Sequence, residues 1–161
     1  MSGGSLGQGL SFAIGQALAG RLDNLDFRCF VLMGDGELNE GQCWEAAMAV
    51  PHFGLGDRVI AMVDRNGIQN DGFADTIMKT HPAEMFRGFG WKVIECDGHD
   101  MAAVDAALTE AERPADQPRC IVAHTVKGKG VSFMENNPGF HGKAPTADQL
   151  AQALAEIEAG L

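Results

Sequence analysis

Apolar positions change their spacing several times along this chain, and each change predicts a new element. Over residues 6–22, Leu6, Leu10, Ala13, Ile14, Ala17 and Leu18 recur at helical spacing, with Ser5 placed as an N-cap. Residues 28–33 form a continuous apolar run closed by Gly34-Asp-Gly36, which predicts a buried parallel strand. Trp44, Ala47 and Met48 repeat helically over 41–50, and the stretch from Pro51 to Gly56 breaks that helix. A second strand follows at 58–64. The segment 65–80 is irregular and contains the turn dipeptides Asn66-Gly67 and Asp71-Gly72, and a loop that long in a compact domain is usually functional.

The second half continues the pattern. Residues 82–89 predict a short helix and 91–96 a third strand. Met101, Val104, Ala107, Leu108 and Ala111 predict a helix capped by Asp100. A fourth strand spans 119–125. The Gly- and Asn-rich stretch 127–145 leads to a last helix, where Thr146 and Gln149 are spaced as a capping box and Leu150, Leu154 and Ile157 share one face. Alternating strands and helices predict an α/β fold: an open, mostly parallel sheet with helices on both faces. Residues 1–161 read as one unit without repeats or a linker, and four strands make a thin sheet, so the expectation is a partial domain of something larger.

Composition narrows the functional classes. Twelve basic residues stand against 22 acidic ones, a formal charge of −10 that repels nucleic acid and anionic lipid. An anionic ligand must therefore be held locally. Cys29, Cys43, Cys96 and Cys120 show no C-x-x-C spacing, three of them sit in apolar strand-like runs, and reduced thiols in the cytoplasm are expected. No apolar stretch has the length of a membrane span and no basic signal start is present, so the protein is expected to be soluble. The 21 glycines follow no collagen-like period and mark special backbone positions.

In parallel α/β sheets ligands bind beyond the carboxyl ends of the strands, which singles out Gly34-Asp35-Gly36, then 64–68, then the loop 127–143. The glycines beside Asp35 allow a diphosphate to approach main-chain N–H groups. Alone, Asp-Gly is an ordinary turn, and Asn66 before Gly67 is a common left-handed turn residue. Together, Asp35, Asn66 and the Ile68 carbonyl offer three hard oxygens, a set that suits Mg2+ sharing its remaining positions with phosphate and water. Lys127, Gly128, Lys129 and Gly130 are equally able to cradle phosphate or to form a solvated loop. Gly98-His99-Asp100 reads as a turn and helix cap, and His52 and His81 lack a second ligand at metal spacing.

The run Gly34-Asp-Gly-Glu-Leu-Asn-Glu-Gly-Gln-Cys-Trp-Glu-Ala-Ala-Met-Ala49, followed by Asp64-Arg-Asn-Gly-Ile-Gln69, resembles the thiamine-diphosphate motif of transketolases. The resemblance continues in Gly4-Ser-Leu-Gly-Gln-Gly9, Asp97-Gly-His-Asp100, Ala123-His-Thr-Val-Lys-Gly-Lys-Gly130 and His141-Gly-Lys-Ala-Pro145, nearly the whole chain. It implies that Asp35, Asn66 and the Ile68 carbonyl bind a divalent ion, with Gly34 and Gly36 at the diphosphate. It also implies that Gly4 and Leu6 line the thiamine rings, that His141 stands near the diphosphate and the reacting substrate carbons, and that Glu40 lies near a subunit interface linking two cofactor sites.

The implied activity is transfer of a two-carbon ketol unit between sugar phosphates, using thiamine diphosphate and Mg2+ or another divalent cation. The resemblance further implies a dimer or other oligomer and a pyrimidine-binding partner half. That half and the family's N-terminal segment have no counterpart in these residues, which predicts an inactive chain on its own. Asp-Arg-Asn at 64–66 departs from the paired asparagines frequent in decarboxylases and favours the transketolase branch. A 1-deoxyxylulose-phosphate synthase-like fragment shares the Asp-Gly-Glu motif, and a non-catalytic cofactor-binding or interaction module is a further alternative. A nucleotide-binding α/β protein fits less well, since no G-x-x-x-x-G-K-[ST] loop is present.

Overall fold

The computed structural model describes residues 3–160. Helix α1 (Gly9–Leu22) leads to strand β1 (Cys29–Gly34), a 3-10 turn at Glu37–Asn39 and helix α2 (Gly41–His52). Strand β2 (Val59–Arg65) is followed by a two-residue hairpin, β3 (Ile68–Gln69) and β4 (Gly72–Phe73), and by the single turn α3 (Ala74–Ile77). Helix α4 (Pro82–Gly88), strand β5 (Lys92–Asp97), helix α5 (Met101–Glu112), strand β6 (Arg119–His124) and helix α6 (Ala147–Gly160) complete the chain. Among the described residues β1, β2, β6 and β5 form one parallel sheet in that order.

Alternation along the two central strands divides the core. Val59, Ala61 and Val63 of β2 and Cys120 and Val122 of β6 face a large cluster with Leu10, Ala17, Val50 and Phe86, contributed by α1, α2 and α4. Ile60 and Ile121 face the other way onto Ala107 and Ala111 of α5. Helices thus cover both faces, as the alternating pattern predicts.

The first strand departs from its expectation. β1 is an edge strand, with Val31 and Met33 in the large cluster but Phe30 and Leu32 44% and 67% exposed on the opposite face. The cause is the span of α5, which packs on β5 and β6 and leaves β1 uncovered. A run that is apolar on both faces does not reveal whether both faces are covered. The first helix also starts later than its apolar repeat, at Gly9 with Gln8 as a cap that accepts no side-chain bond, so Ser5 is not its N-cap. Ser5 instead accepts from Gln8 Nε2 at 2.9 Å. Asp100 does cap α5, accepting from Ala102 and Ala103 N–H, and Thr146 and Gln149 form the reciprocal capping box.

Proline does not stop α2 where the sequence suggests. The helix runs through Pro51 to His52. Proline has no N–H for the carbonyl four residues earlier, here Ala47. The indole of buried Trp91 supplies the missing donor, with Nε1 2.8 Å from the Ala47 oxygen. Trp91 also packs edge-on against Phe86, so one ring joins α2, α4 and the start of β5. Trp91→Phe keeps the ring and removes the donor, leaving a buried carbonyl unpaired; urea unfolding should show a loss of about 1–3 kcal/mol.

Candidate functional site

The strand register sets the site. Gly34 of β1 stands opposite Asp64 of β2, which stands opposite Ala123 of β6, and Arg65 stands opposite His124. The residues immediately beyond these positions are therefore gathered at one carboxyl edge. Asp35 is 2% exposed there. Its Oδ2 accepts from the Gly67 N–H at 2.6 Å and its Oδ1 from the Arg65 guanidinium. Gly67 can present its N–H this way because its φ of +74° turns the chain left-handed after Asn66.

Asn66 is fixed on both ends of its amide. Its Nδ2 donates to Asp64 Oδ2 at 2.9 Å and its Oδ1 accepts from Ile68 N–H at 2.9 Å. Asp64 is held in turn by the Thr125 hydroxyl, from the end of the neighbouring strand, and the Thr125 N–H donates to the Arg65 carbonyl at 3.2 Å. Thr125 lies against the turn 97–100, where Gly98 N–H donates to the His124 carbonyl and Val126 N–H donates to His99 Nε2 at 2.7 Å. That turn thus holds the residues on either side of Thr125, and hydrogen bonds run from Thr125 through Asp64 to Asn66.

Burial alone would lower the pKa of Arg65, but its bonds to Asp35 and Asp75 outweigh this and raise it, so the side chain is a permanent cation. Burial pushes the Cys43 thiol up to about 11, assisted by Glu37 and Glu40, and burial also raises Cys120. All four cysteines are free, and these two are buried and unreactive. Cys29 and Cys96 are only half-buried, at the outer strands of the sheet.

The structure brings Asp35, Asn66 and Ile68 together between β1 and β2, with Gly34 and Gly36 flanking the carboxylate. A Cβ on Gly36 would lie 3.0 Å from that of Gln69, so the two loops meet closely. Gly4, Leu6 and Glu40 form a separate group. Gly4 and Leu6 are exposed, Glu40 packs its Cβ beside Gly7, and Glu37 Oε1 accepts from Gly7 N–H at 3.0 Å. His141 is exposed after a 3-10 turn at Pro138–Phe140 that packs near β4, and no hydrogen bond joins it to Asp35 or Asn66. Lys129 pairs with Glu135, so the loop's positive charge is already partly matched.

Arg65, Asp64 and Thr125 are site residues that the motif reading passed over. Their signal is positional, because Asp64 and Arg65 close β2 and Thr125 directly follows the neighbouring β6. Among the described residues no three His, Cys, Asp or Glu side chains cluster at metal-binding distance. A divalent ion here would use the Asp35 carboxylate, the Asn66 amide and a carbonyl, a sparse set of hard oxygens that fits Mg2+ bound partly through phosphate and water. A groove of about 650 Å³ runs along β1 and α1, lined by Phe12, Phe27 and Phe30, and reaches Gly3, Ser5 and Glu37 beside the Gly4–Leu6 segment.

A parallel α/β sheet with a buried carboxylate, a clamped amide and glycines at its carboxyl edge places the chain in the open-sheet α/β class, whose ligands bind at that edge. The family profile "Transketolase, thiamine diphosphate binding domain" matches residues 1–158. The chain belongs to the transketolase family. It is 38% identical over 155 residues to an apulose-4-phosphate transketolase subunit of Phocaeicola vulgatus, covering 96% of this chain and 55% of that one. It is 42% identical to the 6-deoxy-6-sulfo-D-fructose transketolase subunit SqwG of a Clostridium species, covering 98% and 58%. Among solved structures it resembles a Pichia stipitis transketolase in complex with sedoheptulose 7-phosphate, with a TM-score of 0.84 and 29% identity over 96% of this chain and 24% of that one. The chain thus spans little more than half of the subunits it matches.

The turn at 97–100 gives a direct test of how tightly the site is braced. A Cβ on Gly98 would meet Thr125 Cγ2 at 2.3 Å and the His124 carbonyl at 3.2 Å. Gly98→Ala should cost roughly 1–3 kcal/mol by overpacking. Gly15→Ala, in the exposed middle of α1 with open space around it, should gain about 0.5–1 kcal/mol. Urea midpoints of the two variants are expected to move in opposite directions.

Proposed function

We propose that this chain is the diphosphate-anchoring part of an enzyme that transfers a two-carbon ketol unit between sugar phosphates. The observation that carries the reading is the meeting of buried Asp35 with the Asn66–Ile68 turn at the carboxyl edge of the sheet, inside the matched family region. In this reading Asp35, Asn66 and the Ile68 carbonyl hold Mg2+ or another divalent ion, and the Gly34–Gly36 backbone faces the diphosphate. Thiamine diphosphate, when bound, supplies the thiazolium that stabilises negative charge on the substrate carbon.

The chain's own residues then bind and orient. Gly4 and Leu6 face the cofactor rings, and His141 serves the reacting end as a proton-handling group. Glu40, exposed at the start of α2, faces a second protomer. The site is completed, and water excluded from it, by a pyrimidine-binding partner chain or domain. Two of the relatives are themselves named as transketolase subunits, which supports a two-chain arrangement. We place the enzyme in the cytoplasm, as a dimer or larger oligomer; among the described residues no helix is long and apolar enough to cross a membrane.

Calorimetric titration with Mg2+ and thiamine diphosphate tests the anchor. Asp35→Ala should abolish measurable binding, whereas Asp71→Ala, in the exposed hairpin turn, should bind as the parent does. Equal losses in both would remove Asp35 from the site. Asn66→Gly, which keeps the turn and removes the amide, should also lose binding. In a coupled assay of two-carbon transfer the chain alone should be inactive and should gain activity with a pyrimidine-binding partner. Turnover by the verified monomer would refute the divided site.

A further inference from the structure

The counter-ion of Asp35 in this chain is an arginine, and that arginine is held at two places. The Asp35 side chain is wholly buried, while those of Arg65 and Asp75 are 19% and 59% exposed. Nη1 of Arg65 lies on Asp35 Oδ1, the Gly67 N–H takes Oδ2, and Nη2 of Arg65 reaches out to Asp75 Oδ1 at 3.2 Å. Asp75 also has Lys79 at 3.7 Å, so it anchors a small surface ion-pair group at α3. A buried ionised carboxylate is strongly unfavourable without compensation, which favours a cation beside Asp35 in addition to the Gly67 N–H.

A guanidinium on Oδ1 and a divalent ion coordinated by the same oxygen repel one another and compete for one position. The arginine has somewhere to go. It borders an open cavity of about 210 Å³ shared with Thr80, His81 and Glu84, and Asp75 is already in contact with its outer nitrogen. We propose that Arg65 is the resident counter-ion of Asp35 before cofactor loading, and that divalent-ion binding exchanges it from Asp35 onto Asp75. Arg65 is thereby the residue that sets the affinity of the ion site, by competition, and Asp75 tunes that competition by offering the displaced guanidinium a second seat. The proposal rests on the reading of Asp35 as a metal ligand.

The sign of the effect distinguishes this role from simple support. If Arg65 only braced the loop, its removal would weaken the ion site; as a competitor, its removal strengthens it. Mn2+ titrations of the full chain in saturating thiamine diphosphate, read from the electron paramagnetic resonance signal of free Mn2+, measure this without activity. Arg65→Gln should bind Mn2+ roughly fivefold or more tightly. Asp75→Asn, an exposed change that leaves the buried pair intact, should weaken Mn2+ binding about threefold. Asp71→Asn, which removes the same charge from the neighbouring hairpin without touching Arg65, controls for the change in net charge.

The Asp75→Asn effect should vanish when Arg65 is already glutamine, because the second seat then has no occupant. Weaker or unchanged Mn2+ binding by a folded Arg65→Gln variant overturns the proposal. So does an Asp75→Asn variant that behaves as Asp71→Asn does, a result available even if Arg65→Gln fails to fold. Mn2+ binding that is unaffected by Asp35→Asn overturns the metal reading itself and the exchange with it, whereas binding lost in Asp35→Asn but unmoved by Arg65→Gln overturns the exchange alone.

Discussion

A carboxylate shut away from water at the end of an edge strand constrains everything around it. Asp35 follows directly from β1, so the position of its backbone is fixed by the pairing of Gly34 with Asp64. Its surroundings answer with a main-chain N–H and a guanidinium, both from the end of β2 and the turn that follows it. This explains why the segment after β2 is irregular. The left-handed Gly67 presents its N–H to Asp35, and the short hairpin of β3 and β4 follows directly, with the Asn66 amide held between Asp64 and the Ile68 N–H.

The amide shows how a weak local feature becomes well defined through its neighbours. An Asn-Gly pair on its own needs only a turn. Here Asp64 takes the amide nitrogen, so the amide oxygen has a single orientation, and Asp64 can do so because Thr125, just beyond β6, holds its other oxygen. The parallel pairing of β2 with β6 is therefore what orients the side chain of Asn66. Energy in such a network is shared: each bond is modest in isolation, but removing one member leaves a partly buried polar group without its partner.

Much of this was legible in the sequence, and the failures have physical causes. The capping box at Thr146 and Gln149 and the cap at Asp100 are local patterns whose bonds form within a few residues, so spacing alone predicted them. Asp35 and Asn66 could be paired because both closely follow apolar runs, and parallel strands bring their carboxyl ends to one edge. The bare outer face of β1 could not be read, because it depends on where α5, much later in the chain, comes to lie. The passage of α2 through Pro51 was equally hidden, since the compensating donor is the indole of Trp91, 44 positions away from the carbonyl it bonds. Arg65 stood inside the recognised motif, yet a charge near a strand end reads as solvated until the hairpin folds Asp75 beside it.

Charge makes the last connection. The chain carries a formal −10, and several of its cations near the carboxyl edge are already paired: Arg65 with Asp35 and Asp75, Arg87 with Glu95, Lys129 with Glu135. Arg87 and His124 hold Glu95 below the usual carboxylate range, so even that corner of the edge is locally neutralised. An anionic cofactor would therefore meet a surface whose positive charge is in part already claimed. Backbone N–H groups would answer this at short range, and a divalent ion would concentrate two positive charges at the diphosphate itself. The apolar remainder points the same way. Phe30 and Leu32 on β1, and Leu150, Leu154 and Ile157 along α6, stay exposed, surfaces that favour association in water far more than binding of a charged small molecule. In the proposed reading, anion chemistry would thus be confined to one edge of the sheet, while the exposed apolar faces beside it are suited to contact with protein.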